Sequence, residues 1–142
     1  MKSKQKTVVV DADAIVAQAN IKDINHLKAT KISENLNSQG VKVLYPVTAI
    51  AEATTVIQAK MNSLATAIGT AQVFTNPDYK VISIDQEIYS YAINSHFSNV
   101  SNKRDTLFDC IIIAVADKYE ADAIFSFDNF YRKKGYKLAS DL

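Results

Sequence analysis

Apolar positions along this chain alternate between two rhythms, one of short unbroken runs and one of helical spacing. Thr7-Val8-Val9-Val10 is a β-branched run ending at Asp11, the pattern of a buried strand. A helix is predicted from Ala12 to about Ala19. A second runs from Asp23 as N-cap through Leu27, Ile32 and Leu36 to Gly40 as its stop. Val41 to Tyr45 is the next strand, closed by Pro46, and Thr48 then caps a helix carrying Ile50, Glu52, Val56 and Ile57. Leu64, Ile68 and Ala71 keep helical spacing until Asn76-Pro77 breaks it. Lys80 to Ile84 reads as a third strand. Asp85 caps a helix with Ile88, Ala92 and Ile93, and Asp105 caps another through Phe108, Ile112 and Val115 to about Tyr119. Asp122 to Ser126 is a fourth strand, and Tyr136-Lys137-Leu138 a short last one.

Strands that alternate with helices along a whole chain point to an α/β fold. The expected core is a parallel sheet of about four to five strands with helices on both faces. A length of 142 residues suits one domain spanning residues 1–142, and no linker, repeat or low-complexity stretch divides it.

Charge changes this picture little. Sixteen Lys and Arg against fifteen Asp and Glu leave a formal +1, so any nucleic-acid partner must be met by local patches rather than by the whole-molecule field. Lys2, Lys4 and Lys6 form one basic cluster; Arg132, Lys133, Lys134 and Lys137 form another. Both serve equally well as solvated surface or as phosphate contacts. Cys110 is the only cysteine, which excludes an intramolecular disulfide, and its apolar neighbours mark it as a core residue rather than a nucleophile. No secretory signal is evident, and the apolar run from Cys110 to Ala116 is too short to cross a bilayer. The expected location is the cytoplasm, with no membrane partner.

The acids carry the chemistry. Asp11 and Asp128 each fall just beyond an apolar strand, where open α/β sheets place their binding crevice. Glu52 lies on a helix among Ile50, Ala51, Ala53 and Val56, and Asp109 among Leu107, Phe108, Cys110 and Ile111. Burying a carboxylate is expensive unless something positive meets it, and a shared divalent cation would offset all four costs together. Each acid alone has a plainer role: Asp11 as an N-cap, Asp128 as a turn cap, Glu52 at the rim of an apolar face. Hard oxygen donors suit Mg²⁺ or Mn²⁺. His26 and His96 have no metal-ligand spacing to each other or to Cys110, so the chain offers no zinc pattern.

With these residues in place the chain resembles the PIN-domain nucleases from about Thr7 to Leu138. The matching segments are Val8-Val9-Val10-Asp11-Ala12-Asp13-Ala14, Thr48-Ala49-Ile50-Ala51-Glu52, Leu107-Phe108-Asp109-Cys110-Ile111 and Ser126-Phe127-Asp128. The resemblance implies that Asp11, Glu52, Asp109 and Asp128 are catalytic and hold Mg²⁺ or Mn²⁺, directly or through water. It gives Ser126 and Asp13 supporting roles, Ser126 steadying the metal shell and Asp13 bonding nearby backbone. It implies RNA as the substrate, with Lys103 and Arg104 as candidate backbone contacts; solvated helix-start residues are the other reading of that pair. Small size makes the chain most similar to VapC-type toxin ribonucleases, which implies a small antitoxin protein as partner and allows a homodimer. Two departures stand out: Asn129 alone separates Asp128 from Phe130, and Cys110 replaces a common alanine.

Two rivals use the same residues. Val10-Asp11-Ala12-Asp13 also suits a haloacid-dehalogenase-like phosphotransferase, in which Asp11 attacks phosphorus and Asp13 is acid and base, but no later lysine with a tight acidic pair completes it. The other is a non-catalytic PIN-like module that binds RNA or protein. A Rossmann cofactor domain is excluded, because Gly40, Gly69 and Gly135 cannot build a glycine-rich phosphate loop.

Overall fold

In the computed structural model, which describes residues 4–142, four parallel strands form one sheet in the order β3-β2-β1-β4. β1 (Thr7–Val10) lies between β2 (Lys42–Pro46) and β4 (Ala123–Phe125), and β3 (Lys80–Ile82) forms the edge beside β2. Val9 is in register with Leu44 on one side and Ile124 on the other. Val8, Val9 and Val10 are wholly buried, as expected of a parallel strand covered on both faces.

α1 (Ala12–Ala19) and α2 (His26–Ser38) lead from β1 to β2, and α3 (Val47–Lys60) and α4 (Leu64–Val73) from β2 to β3. α5 (Gln86–Tyr91), a π-helical turn (Ala92–His96) and α6 (Leu107–Lys118) then carry the chain back across the sheet to β4. Because parallel crossovers are right-handed, this change of direction moves the last connection to the opposite face. The reversal falls between β1 and β4, and open α/β sheets form their crevice at such a point. α6 supplies the densest core segment, with every residue from Cys110 to Ala116 buried. At its far end Asp117 accepts hydrogen bonds from Tyr91 (2.7 Å) and Tyr136 and pairs with His96 (3.0 Å), tying α5, the π turn and the C-terminal segment together. No helix among the described residues is long and apolar enough to cross a membrane.

Several expected boundaries shift, each for a local reason. α2 begins at His26 rather than after Asp23, whose carboxylate instead closes a turn by accepting Asn25 N–H (2.8 Å). α3 starts at Val47 directly after Pro46, leaving Thr48 inside the helix rather than capping it. α6 is capped by Thr106, not Asp105. The third strand stops at Ile82 and the fourth spans only Ala123–Phe125. The expected last strand is a single parallel bridge, Ile124 to Leu138, because Gly135 at φ +91° turns the chain just before it. Leu27, expected in the core, is 82% exposed; it points away from Leu36 round the helix, and Leu36 is the residue that packs inward. Of the N-terminal basic cluster, Lys4 and Lys6 are exposed and Lys2 lies outside the described residues.

Candidate functional site

The switch point gathers acids from four elements. Asp11 ends β1 and caps α1: its Oδ1 accepts Ala12 N–H at 2.7 Å, the capping role available to any aspartate there. Its Oδ2 accepts the Tyr131 hydroxyl at 2.7 Å and lies 3.3 Å from Ser126 Oγ. Asp13, in the first turn of α1, reaches across to the peptide after β4. Its Oδ2 accepts Phe127 N–H (2.8 Å) and Ser126 Oγ–H (3.0 Å). Ser126 Oγ in turn accepts Asp128 N–H (3.1 Å), and Asp128 Oδ1 accepts Phe130 N–H (2.9 Å), closing the turn into α7 (Phe130–Lys133). Asp109 belongs to a capping box on α6: its Oδ2 accepts Thr106 N–H (3.0 Å) while Asp109 N–H reaches Thr106 Oγ1 (3.4 Å). Glu52 stands half-buried in α3.

The burial of these acids is graded. Asp11 is 5% exposed, Asp13, Glu52 and Asp109 are intermediate, and Asp128 is exposed at the rim. Asp109 is less enclosed than its apolar neighbours suggest, because Phe108 beside it faces solvent. Electrostatics nonetheless bind the group into one cluster. Burial first, and then the charge of Asp13, push the Asp11 carboxyl up to about 7, against the opposing hydrogen bonds from Tyr131 and Ala12. Burial also raises Asp13, to which the Asp128 charge adds. It raises Glu52, with Asp109 and Asp13 contributing, and it raises Asp109 against the Thr106 bonds.

Two residues here are not singled out for the site from the sequence. Tyr131 is fully buried, and its hydroxyl serves Asp11 and sits 3.5 Å from Asp109 Oδ1. Burial and the surrounding carboxylates drive its phenol far above the ordinary range, so it remains a proton donor to Asp11. Thr48 lies one turn before Glu52 on the same face of α3, and that i, i+4 spacing is the signal that could have found it. Lys103 and Arg104 lie exposed in the turn before Thr106, outside any ion pair among the described residues. His26 bonds the Ala17 carbonyl and His96 pairs with Asp117, so neither belongs to the acid cluster.

Asp13 Oδ1 and Thr48 Oγ1 are buried with no hydrogen-bond partner. Such atoms are costly, and an ion with its waters would satisfy them. All donors are oxygens, the set that suits Mg²⁺ or Mn²⁺. Among the described residues no three Asp, Glu, His or Cys side chains close around a common point. That spacing is wrong for a caged ion and compatible with Mg²⁺, which keeps several waters and takes only one or two carboxylates directly. Asp11 and Asp109, both within reach of the Tyr131 hydroxyl, are the acids best placed to share it.

If Tyr131 positions Asp11, Tyr131→Phe should raise the Mg²⁺ concentration for half-maximal binding by about tenfold, since removing an outer hydrogen bond to a metal ligand typically has that effect. Titration calorimetry measures this directly, and an unchanged affinity would reduce Tyr131 to core packing.

Sheet order, crossovers and crevice define a PIN-like fold. Among the solved structures that share it are VapC20 of Mycobacterium tuberculosis, described as a sarcin–ricin loop-cleaving toxin, and VapBC2 of Rickettsia felis, bound to a DNA fragment from its promoter. The first superposes with a TM-score of 0.80 over 91% of this chain and 95% of that one, at 16% identity. The second has a TM-score of 0.61, covers 93% and 96%, and is 9% identical. No family model matches the sequence, and no curated protein matches it.

Proposed function

We propose that this chain is a Mg²⁺- or Mn²⁺-dependent ribonuclease of the VapC type, the toxin of a toxin–antitoxin pair. The observation that carries the reading is the cluster of five acids at the β1–β4 switch point, containing a buried Asp13 oxygen with no protein partner. The likeness to VapC20 supports it. Asp11, Glu52, Asp109 and Asp128 would hold the ion, directly or through water. When bound, it would supply Lewis-acid polarisation of the phosphodiester and a lowered pKa for water, which favours hydroxide as nucleophile. The chain's own residues orient: Tyr131 and Ala12 N–H fix Asp11, Ser126 and Phe127 N–H fix Asp13, and Thr106 fixes Asp109. Half-buried Glu52 faces the charges of Asp109 and Asp13, and exposed Asp128 is open to solvent and substrate. The substrate is RNA, a small antitoxin protein is the partner, and the setting is the cytoplasm, with a homodimer compatible.

The phosphotransferase alternative needs a free nucleophilic oxygen on Asp11, and both of its oxygens are engaged. The binding-module alternative is favoured by one observation, the open spacing of the acids. Incubating the protein with structured and unstructured RNAs, in Mg²⁺ or Mn²⁺ and in chelator, separates these readings. Cleavage that chelation stops is expected. RNA binding without cleavage in either ion would leave the binding module, and cleavage that survives chelation would remove the metal from the mechanism.

A further inference from the structure

A groove of about 550 Å³ runs between α2 and the C-terminal segment, and its inner wall is the Ser126–Phe127 peptide that also holds Asp13. α2 presents Lys28, Lys31 and Asn35 to it. At helical spacing these share one flank of the helix, so the two ammonium groups face the same groove. Neither lysine is in an ion pair among the described residues. Arg132 forms part of the opposite wall, but its guanidinium is already spent on Asp141 (2.7 Å) and Asn129 (3.2 Å). No aspartate or glutamate side chain lines the groove.

The larger groove, about 1120 Å³ between α1, α2 and α4, makes the contrast clear. There Lys42 and Lys80 share the lining with Glu34 and Asp78. The smaller groove has lysines with no Asp or Glu side chain among them, and it includes Ser126 and Phe127, the residues that bond Asp13.

We propose that this groove is the track for the RNA backbone beyond the reacting phosphate, with Lys28 and Lys31 each neutralising one phosphate. The inference rests on the ribonuclease reading and extends it to substrate binding. A polyanion gains most where cations are unpaired, because each phosphate neutralised releases condensed counterions. Ser126 and Phe127 bond Asp13 on one side and line the groove with Lys28 and Lys31 on the other, so a strand held at the acids has this groove beside it.

The test measures binding of labelled oligouridylate of about twelve nucleotides in chelator, where no chemistry occurs, across a salt series. Lys28→Ala/Lys31→Ala should weaken binding by about tenfold and flatten the slope of log K against log salt by about 1.4, the value for two phosphate contacts on a single strand. Lys28→Arg/Lys31→Arg should keep wild-type binding, and the Lys42→Ala/Lys80→Ala variant, an equal charge change in the other groove, should be neutral. With Mg²⁺, the alanine pair should raise KM on the long RNA, leave kcat unchanged and cleave a dinucleotide as wild type does. An unchanged slope, or an equal loss in Lys42→Ala/Lys80→Ala, would overturn the track. So would a pair that loses only polyglutamate binding, since the groove would then belong to an acidic protein segment. Lysine-dependent binding by a protein that never cleaves would retain the track and remove the nuclease. Cleavage indifferent to both lysines would do the reverse, and no RNA binding by wild type would remove both.

Discussion

Asp11→Asn and Asp109→Asn should each lower Mg²⁺-dependent RNA cleavage by more than about a hundredfold, with cooperative melting retained. Loss of an outer-shell partner already costs ten- to a hundredfold, and these two carboxylates are proposed as ligands themselves. They differ in how asparagine is accommodated. At 109 the amide oxygen can still accept Thr106 N–H, so the α6 cap survives. At 11 the side chain keeps its bond to Ala12 N–H, and the Tyr131 hydroxyl can turn to accept from the new NH₂ group. The fold is therefore preserved while a negative charge is lost. Initial cleavage rates at several Mg²⁺ concentrations, beside thermal melts, read both quantities. Full activity in both folded variants would end the assignment of a metal site here.

In chelator the protein should lose stability as pH rises from about 4 to about 7. Asp11 ionises near 3.8 in an open chain and at about 7 in the fold, so between these values the folded protein holds a proton that the unfolded chain releases. Stability from this group is complete below 3.8 and is lost as pH climbs through 7, a difference on the order of 4 kcal/mol for such a shift. Glu52 and Asp109 are raised as well and act with the same sign. The cluster titrates as a unit, so the observable is the denaturant midpoint across this range. Mg²⁺ should reverse the loss at pH 8, by about 2.7 kcal/mol at a hundred times its dissociation constant, and do far less at pH 5, where protons compete for the same oxygens. Asp109→Asn should raise the apo midpoint at pH 8 and shrink the Mg²⁺ increment. A variant that strongly destabilises the apo protein would show Asp109 to be a capping residue first. Equal Mg²⁺ shifts in wild type and variant would place the ion elsewhere.

Legibility in the sequence followed the range of the interactions. β1 was plain because a β-branched run meeting an aspartate is local, and β2 because Pro46 ends it at the bond where the chain turns into helix. The parallel sheet and the position of Asp11 and Asp128 beyond strand ends follow from that alternation, whereas the strand order does not and comes from the structure. Caps were less secure: six polar residues, Ser101 to Thr106, precede α6 in a row, and Thr106 wins over Asp105 because Asp109 completes a capping box with it. Leu27 misled because a leucine one residue into a helix satisfies composition while violating phase. Tyr131 could not be seen at all. Its hydroxyl meets Asp11 across most of the chain, and Phe130-Tyr131 read as an ordinary turn after Asp128. The groove beside α2 was hidden for the same reason, since Lys28 and Lys31 look like a solvated face until the C-terminal segment lies opposite.

The pairing of β1 with β4 also sets a timetable. Ser126 lies 115 residues after Asp11 and 113 after Asp13, so during synthesis the early acids wait for their partners. Until residue 123 has emerged, Val8, Val9 and Val10 have no neighbour on one side and present an apolar open strand edge, the surface most prone to capture by another chain. The acid cluster is thus assembled only once β4 and the Ser126–Phe127 peptide have emerged. A prematurely terminated product would contain Asp11, Asp13, Glu52 and Asp109 yet lack the strand that closes the crevice. Its acids would lack the Ser126 and Phe127 bonds and its β1 edge would stay open to another chain, so β4 both completes the acid cluster and seals the sheet.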